Sequence, residues 1–168
     1  MSENSVGMGS ELVILIGLQG AGKSSFYRTF FAATHDLVSK DCFRNNRNPS
    51  RRQQQLLEES LGAGRPVVLD NTNPTKEDRA DLILLARSFG ARVVGYYFES
   101  CLVECLERNC RRQGKARVPD IALYATRKRL EPPTRAEGFD QLFFVRLRDE
   151  VRFEILDWKE GQEDDETR

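Results

Sequence analysis

Gly17, Gly20, Gly22, Lys23 and Ser24 stand within "GLQGAGKSS" at residues 17–25, and Gly17 to Ser24 satisfy the pattern G-x-x-x-x-G-K-[ST]. Glycines in such a loop let successive backbone N–H groups turn inward around the phosphates of a nucleotide. A lysine then neutralises the β/γ charge, and the hydroxyl that follows can ligate Mg²⁺ directly. On this reading the phosphate donor is ATP or another nucleoside triphosphate, used with Mg²⁺, and Gln19, Ala21 and Ser25 share the loop. The bland alternative is a glycine-rich turn between two core elements. The loop alone leaves open where the phosphate goes: to water, a metabolite, a protein or a nucleic acid.

Three further places bear on that question. Asp41 in "SKDCFR" can accept the proton of an attacking hydroxyl and align it with the γ-phosphorus. It can equally be a turn aspartate paired with a neighbouring base, and spacing alone leaves both readings standing. Arg44, three residues on, is placed to hold an acidic group of the acceptor. Asp70 ends "VVLD", where a carboxylate in a P-loop protein orders the metal's water shell or positions a charged partner. That reading is favoured over one in which Asp70 and Asn71 only shape the turn; Asn73, before Pro74, is expected to cap the next helix. In "ERNCRRQGKARVPD", Arg108, Arg111, Arg112, Lys115 and Arg117 lie within ten positions that contain no acid. Arg108 and Arg112 are i,i+4 and expected on one helical face. In a lid they would stabilise charge on the transferring phosphoryl group and exclude water; otherwise they form a solvated face.

The elements that must position these groups alternate. Apolar runs at Leu12–Ile16, Leu37–Val38, Val67–Leu69, Val93–Phe98 and Leu142–Val145 read as strands. Helical patterns fall at 23–33, about 50–62, 75–89, 101–112 and 120–130. Repeated βα units imply an α/β fold, a mostly parallel five-stranded sheet with helices on both faces. Ligands of such sheets bind at the carboxyl ends of the strands, so the loops after Ile16, Val38 and Leu69 should converge. Phe26 and Phe30 read as a core stripe and His35 as a surface or packing residue. Arg51-Arg52 with Gln53 to Gln55 read as a solvated helix face, and Trp158 as packing on the final strand "VRFEIL".

At 168 residues the chain suits one domain, expected over 11–158, with a flexible leader at 1–10 and an acidic, disordered tail at 159–168. Its 26 basic and 26 acidic residues cancel, which argues against a non-specific coater of duplexes but not against a local basic site. Four cysteines without a C-x-x-C pair, and a single histidine, argue against zinc and fit a reducing cytoplasm. No apolar stretch approaches the roughly 20 residues of a membrane helix.

The ordered set of "GLQGAGKSS", "DCFR", "VVLDNTNPTKEDR", "RNCRR" and "VPDIALYATRKRLEPPTRAEGFD" resembles the kinase module of polynucleotide 5′-kinases. This is the family of the phage end-healing enzyme and of the eukaryotic polynucleotide kinase/phosphatase. The resemblance runs from about Glu11 to about Phe144 and implies a P-loop NTPase fold with an arginine-bearing lid. It further implies that Lys23 and Ser24 bind phosphate and metal, and that Asp41 is the general base toward a nucleic-acid 5′-OH. Arg44 would contact the adjacent acceptor phosphate, Asp70 would organise the acceptor side and reach the metal through water, and Arg108 and Arg112 would clamp the ATP phosphates. The D-x-D-G-T signature of a 3′-phosphatase half is absent, as is a ligase module, so separate phosphatase or ligase proteins are the implied partners. The segment from Arg44 to Pro66 departs from the family, which leaves DNA, RNA and smaller acceptors open. Two competing readings remain: a P-loop kinase of a nucleoside, sugar or antibiotic, and a non-enzymatic ATP-binding switch. A base and an arginine lid argue against the switch.

Overall fold

A computed structural model describes residues 9–162. Most of the expected leader and tail therefore lies outside the described residues. Leu12 to Ile16 have no exposed surface, because β1 (Glu11–Ile16) is the centre of the sheet. It pairs in parallel with β3 (Val67–Asp70) on one side and with β4 (Arg92–Phe98) on the other. β2 (Asp36–Val38) lies outside β3, and β5 (Gln141–Arg148) outside β4. An apolar run fits a strand covered on both faces, and truncating one of these side chains, as in Leu15→Ala, costs about 2–5 kcal/mol. Register aligns Leu15 with Asp70 and Val38 with Leu69, so the loops after β1, β2 and β3 open at one edge. That convergence is the one expected from the βα alternation.

The sheet has six strands, in the order β2-β3-β1-β4-β5-β6, rather than five. β6 (Arg152–Asp157) returns antiparallel on β5 through a tight turn. Asp149 and Glu150 in that turn take φ of 49° and 61°. Such hairpin turns usually announce themselves as Asn-Gly or Asp-Gly; Asp-Glu carries no such signal. Trp158 packs not on β6 but on Tyr97 and Phe144, with ring centroids at 5.3 Å and 6.4 Å.

Five helices cover the sheet: α1 (Lys23–Phe30), α2 (Pro49–Gly62), α3 (Lys76–Ser88), α4 (Leu102–Arg111) and α5 (Asp120–Arg129). Phe26 on α1 is buried, but Phe30 is 48% exposed, so the expected stripe is half core. His35 is a packing residue, its Nε2 2.9 Å from Glu11 Oε1. Asn73 does not cap α3. The cap is Thr75, whose hydroxyl accepts the Asp78 N–H at 3.0 Å. A cap must immediately precede the helix in extended conformation, and Pro74 displaces Asn73 from that place. Asn73 instead sits at φ 45° and donates Nδ2–H to the Leu15 carbonyl at 2.7 Å. Fully buried Arg79 donates to the carbonyls of Asn73 and Pro74 and to Glu137, with Nε–Oε1 at 2.8 Å. The loop after β3 is thereby tied down from beneath.

Candidate active site

The phosphate loop is seated by contacts that only glycine permits. Gly20 takes φ 83°, and a Cβ there would lie 2.7 Å from the Cys105 carbonyl oxygen on α4. At Gly22, φ 100°, a Cβ would lie 3.2 Å from Leu147. Gly17 donates its N–H to the Thr72 carbonyl at 3.1 Å, and Leu18 donates to the Ser100 hydroxyl at 3.1 Å. Ala21 is buried. Gln19 donates Nε2–H to Thr126 Oγ1 at 3.1 Å, tying the loop to α5. Lys23, Ser24 and Ser25 then open α1, where first-turn N–H groups have no intrahelical acceptor and the helix dipole favours an anion.

Lys23 is buried, its ammonium donating to the carbonyls of Gly17 at 2.9 Å and Leu18 at 2.6 Å. Burial pulls its pKa down to about 8, against the opposing pull of the Asp70 carboxylate. The Ser24 hydroxyl donates to Asp70 Oδ2 at 2.7 Å. A hydroxyl and a carboxylate so close are hard oxygen donors of the kind Mg²⁺ accepts while keeping most of its water. Among the described residues no group of three His, Cys, Asp or Glu side chains could cage a metal. The donor set therefore fits a Mg²⁺ completed by water and triphosphate oxygens.

Across the cleft, Asp41 and Arg44 lie in and just after a 3-10 turn (Lys40–Phe43). Asp41 Oδ1 accepts from Arg44 Nε at 3.2 Å and Nη2 at 3.0 Å, while Arg44 Nη1 donates to the Lys115 carbonyl. Arg44 thus bridges the turn and the segment after α4. The arginines there part company. α4 ends at Arg111, so Arg112 leaves in extended conformation instead of sharing a helical face with Arg108. Arg112 lines the cleft; Arg108 braces the loop from outside, donating to the Gly20 carbonyl at 3.1 Å and to Glu104 at 3.1 Å.

One cavity of about 1050 Å³ joins Lys23, Ser24, Asp41, Arg44, Asp70 and Arg112. A second of about 540 Å³ shares Ser24, Asp41, Arg44 and Arg112 with it and adds Arg28 and Lys115. Sequence reasoning passed over Arg28, which reads as an ordinary helix-end base, and treated Lys115 only as part of a basic run. It also placed Gln53 on a solvated helix face, where the structure has it lining the cleft, and gave Asn71 only a turn-shaping role. Position alone flagged Asn71, at the carboxyl end of a parallel strand.

Residues 12–133 match the model of AAA_33, described as an AAA domain. The chain belongs to this family. The chain is 28% identical over 152 residues to the bifunctional polynucleotide phosphatase/kinase of Schizosaccharomyces pombe, covering 87% of this chain and 34% of that protein. The chain thus spans about a third of the length of the curated relative it matches. Among solved structures, the fold is shared with a chain of the Pnkp1/Rnl/Hen1 RNA repair complex, at TM-score 0.60 and 23% identity, covering 77% of this chain and 47% of that one. It is shared too with Chaetomium thermophilum Kti12 in complex with ADP-AlF3, at TM-score 0.64 and 16% identity over 82% and 90% of the two chains. A sugar kinase from Janibacter sp. matches at TM-score 0.63 and 14% identity over 83% and 87%. The chain thus shares the α/β fold of these structures, with the phosphate loop directly after its first strand. No helix among its described residues is long and apolar enough to cross a membrane.

Proposed function

We propose that this AAA domain is an ATP-dependent polynucleotide 5′-hydroxyl kinase. The observation that carries the reading is the shared cavity lined by Asp41 and Arg44 together with Lys23 and Ser24 of the phosphate loop. A nucleotide switch needs no acceptor base there. The similarity to a polynucleotide phosphatase/kinase supports a nucleic-acid acceptor, DNA or RNA. Four free cysteines fit a reducing, cytoplasmic setting.

The residues divide the work by position. The loop N–H groups and Lys23 hold the β- and γ-phosphates of ATP. Mg²⁺ would be held by Ser24 directly and by Asp70 through water, and it supplies neutralisation of the charge shared by the β- and γ-oxygens. Asp41 accepts the proton of the 5′-OH as its oxygen meets the γ-phosphorus. Arg44 exchanges the Lys115 carbonyl for the acceptor's adjacent phosphate, and Arg112 enters from the lid to stabilise the transferring group. Arg108 acts through the loop it braces.

Transfer of label from γ-labelled ATP to matched DNA and RNA strands tests this. Each strand is offered with a 5′-OH and with a blocking 5′-phosphate, to the wild type and to Asp41→Ala. Label confined to 5′-OH strands and dependent on Asp41 is the expected result. Label on a nucleoside or sugar but on no strand would replace this reading with a small-molecule kinase. ATP binding with no acceptor labelled would leave a switch.

A further inference from the structure

Lys40–Phe43 is weakly anchored for a segment that must present a base. Only Phe43, half-buried, packs against the core; none of its residues is fully buried, and it follows β2, which has only three residues and pairs with β3 alone. The Ser39 hydroxyl that accepts the Asp41 N–H at 3.3 Å is a local cap and fixes nothing across the cleft. The Arg44 link to Lys115 ends on a segment with no buried residue of its own. A third tie is different in kind. Asn71 Oδ1 accepts the Lys40 N–H at 3.0 Å, and Asn71 Nδ2 donates to Gln53 Oε1 on α2 at 2.7 Å. Asn71 directly follows Asp70, whose carboxylate holds the Ser24 hydroxyl of the phosphate loop. Its backbone belongs to a loop that Arg79 fixes through the carbonyls of Asn73 and Pro74.

We propose that Asn71 is a positioning residue for phosphoryl transfer, holding the Asp41-bearing turn in register with the phosphate loop. The inference rests on the 5′-hydroxyl kinase reading. A carboxamide suits the task because one end accepts while the other donates. An aspartate would set a second carboxylate beside Asp70 and lose the donor to Gln53. The path from the loop's metal-side hydroxyl to the base then runs Ser24, Asp70, Asn71, Lys40, Asp41, with no flexible side chain longer than an asparagine or aspartate in it. In-line transfer needs base and nucleophile within hydrogen-bond reach of each other, and misplacement by about 1 Å costs on the order of 100-fold in rate.

The test rests on Asn71→Leu, which keeps the side chain's shape and removes both hydrogen bonds. In Asn71→Leu, transfer to a 5′-OH strand should fall about 10- to 100-fold. ATP affinity and acceptor-independent ATP hydrolysis should hold, so the ratio of hydrolysis to transfer rises by the same factor. Adding Asn71→Leu to Asp41→Ala should cost nothing further, as expected of residues acting as a unit. Unchanged transfer in Asn71→Leu overturns the inference. So does a parallel fall of transfer, hydrolysis and ATP binding, the mark of a structural residue. Amide hydrogen exchange keeps the two proposals apart, since it needs no acceptor: Asn71→Leu should speed exchange at Lys40–Phe43 about tenfold and leave β1 untouched. If no strand is labelled by the wild type, the kinase reading fails; if exchange in the turn is unchanged, the positioning of the turn by Asn71 fails.

Discussion

Lys23 is 7% exposed and gripped by two loop carbonyls, whereas the Asp41 side chain, across the same cleft, is 76% exposed and held by one arginine. The loop around Lys23 is wedged between α4, β4 and the β5–β6 hairpin, where a single added methyl group would strike backbone. The turn around Asp41 meets the protein through a few hydrogen bonds at its surface and through half-buried Phe43, which packs against the core. The donor half of the cleft is part of the core, and the acceptor half is attached to it. That contrast explains how one fold can bind a nucleotide in a fixed way while its relatives phosphorylate different acceptors: substitutions in the turn leave the core intact.

The contrast can be broken most directly at Asp41. Asp41→Ala should lower transfer about 10²- to 10⁴-fold, the usual worth of a general base, with ATP affinity unchanged by calorimetry; a matching loss of ATP affinity would erase the division between halves. Lys23→Met should lower transfer about 10²- to 10³-fold, the scale of one lost charge-stabilising donor, and here ATP affinity should fall as well. Arg44→Ala should raise KM about 10- to 100-fold for strands with a phosphate beside the reacting nucleoside, as for a lost hydrogen bond to a charged group, and spare acceptors without one. The smallest effect is the pH dependence of the donor half. With the Lys23 pKa lowered by burial to about 8, its charge is present below that pH and lost above it, so ATP affinity should weaken about tenfold from pH 7 to 9. Stability moves the other way. Between about 8 and the ordinary lysine value of 10.5 the unfolded chain holds the proton that the fold has released, so stability against urea should rise with pH there. Lys23→Met should flatten both curves.

The donor half was legible in the sequence because its information is local. Strand, glycines, lysine and serine are contiguous, and period and composition dictate their geometry. The acceptor half was legible only as residue types. That Asp41 faces the loop follows from strand order, but that Arg112 leaves its helix while Arg108 turns to Gly20 depends on where α4 ends, which the run of arginines conceals. Asn71 looked like a turn residue because its partners, Lys40 and Gln53, lie 31 and 18 positions away. Arg79 was invisible for the same reason: a charged residue in a helix reads as solvated, and its partner Glu137 is 58 positions on. β6 was missed as a sheet member because its turn lacks glycine.

The β5–β6 hairpin has a consequence for how the protein is made. It is the one antiparallel pairing among the described strands; every other pairing is parallel and waits for a crossover. Its Leu147 and Phe153 form the wall against which Gly22 rests. The phosphate loop therefore acquires its full seat only when residues some 130 positions later have emerged. A nascent chain stalled before β6 carries every residue of residues 17–25 and lacks the surface that shapes them.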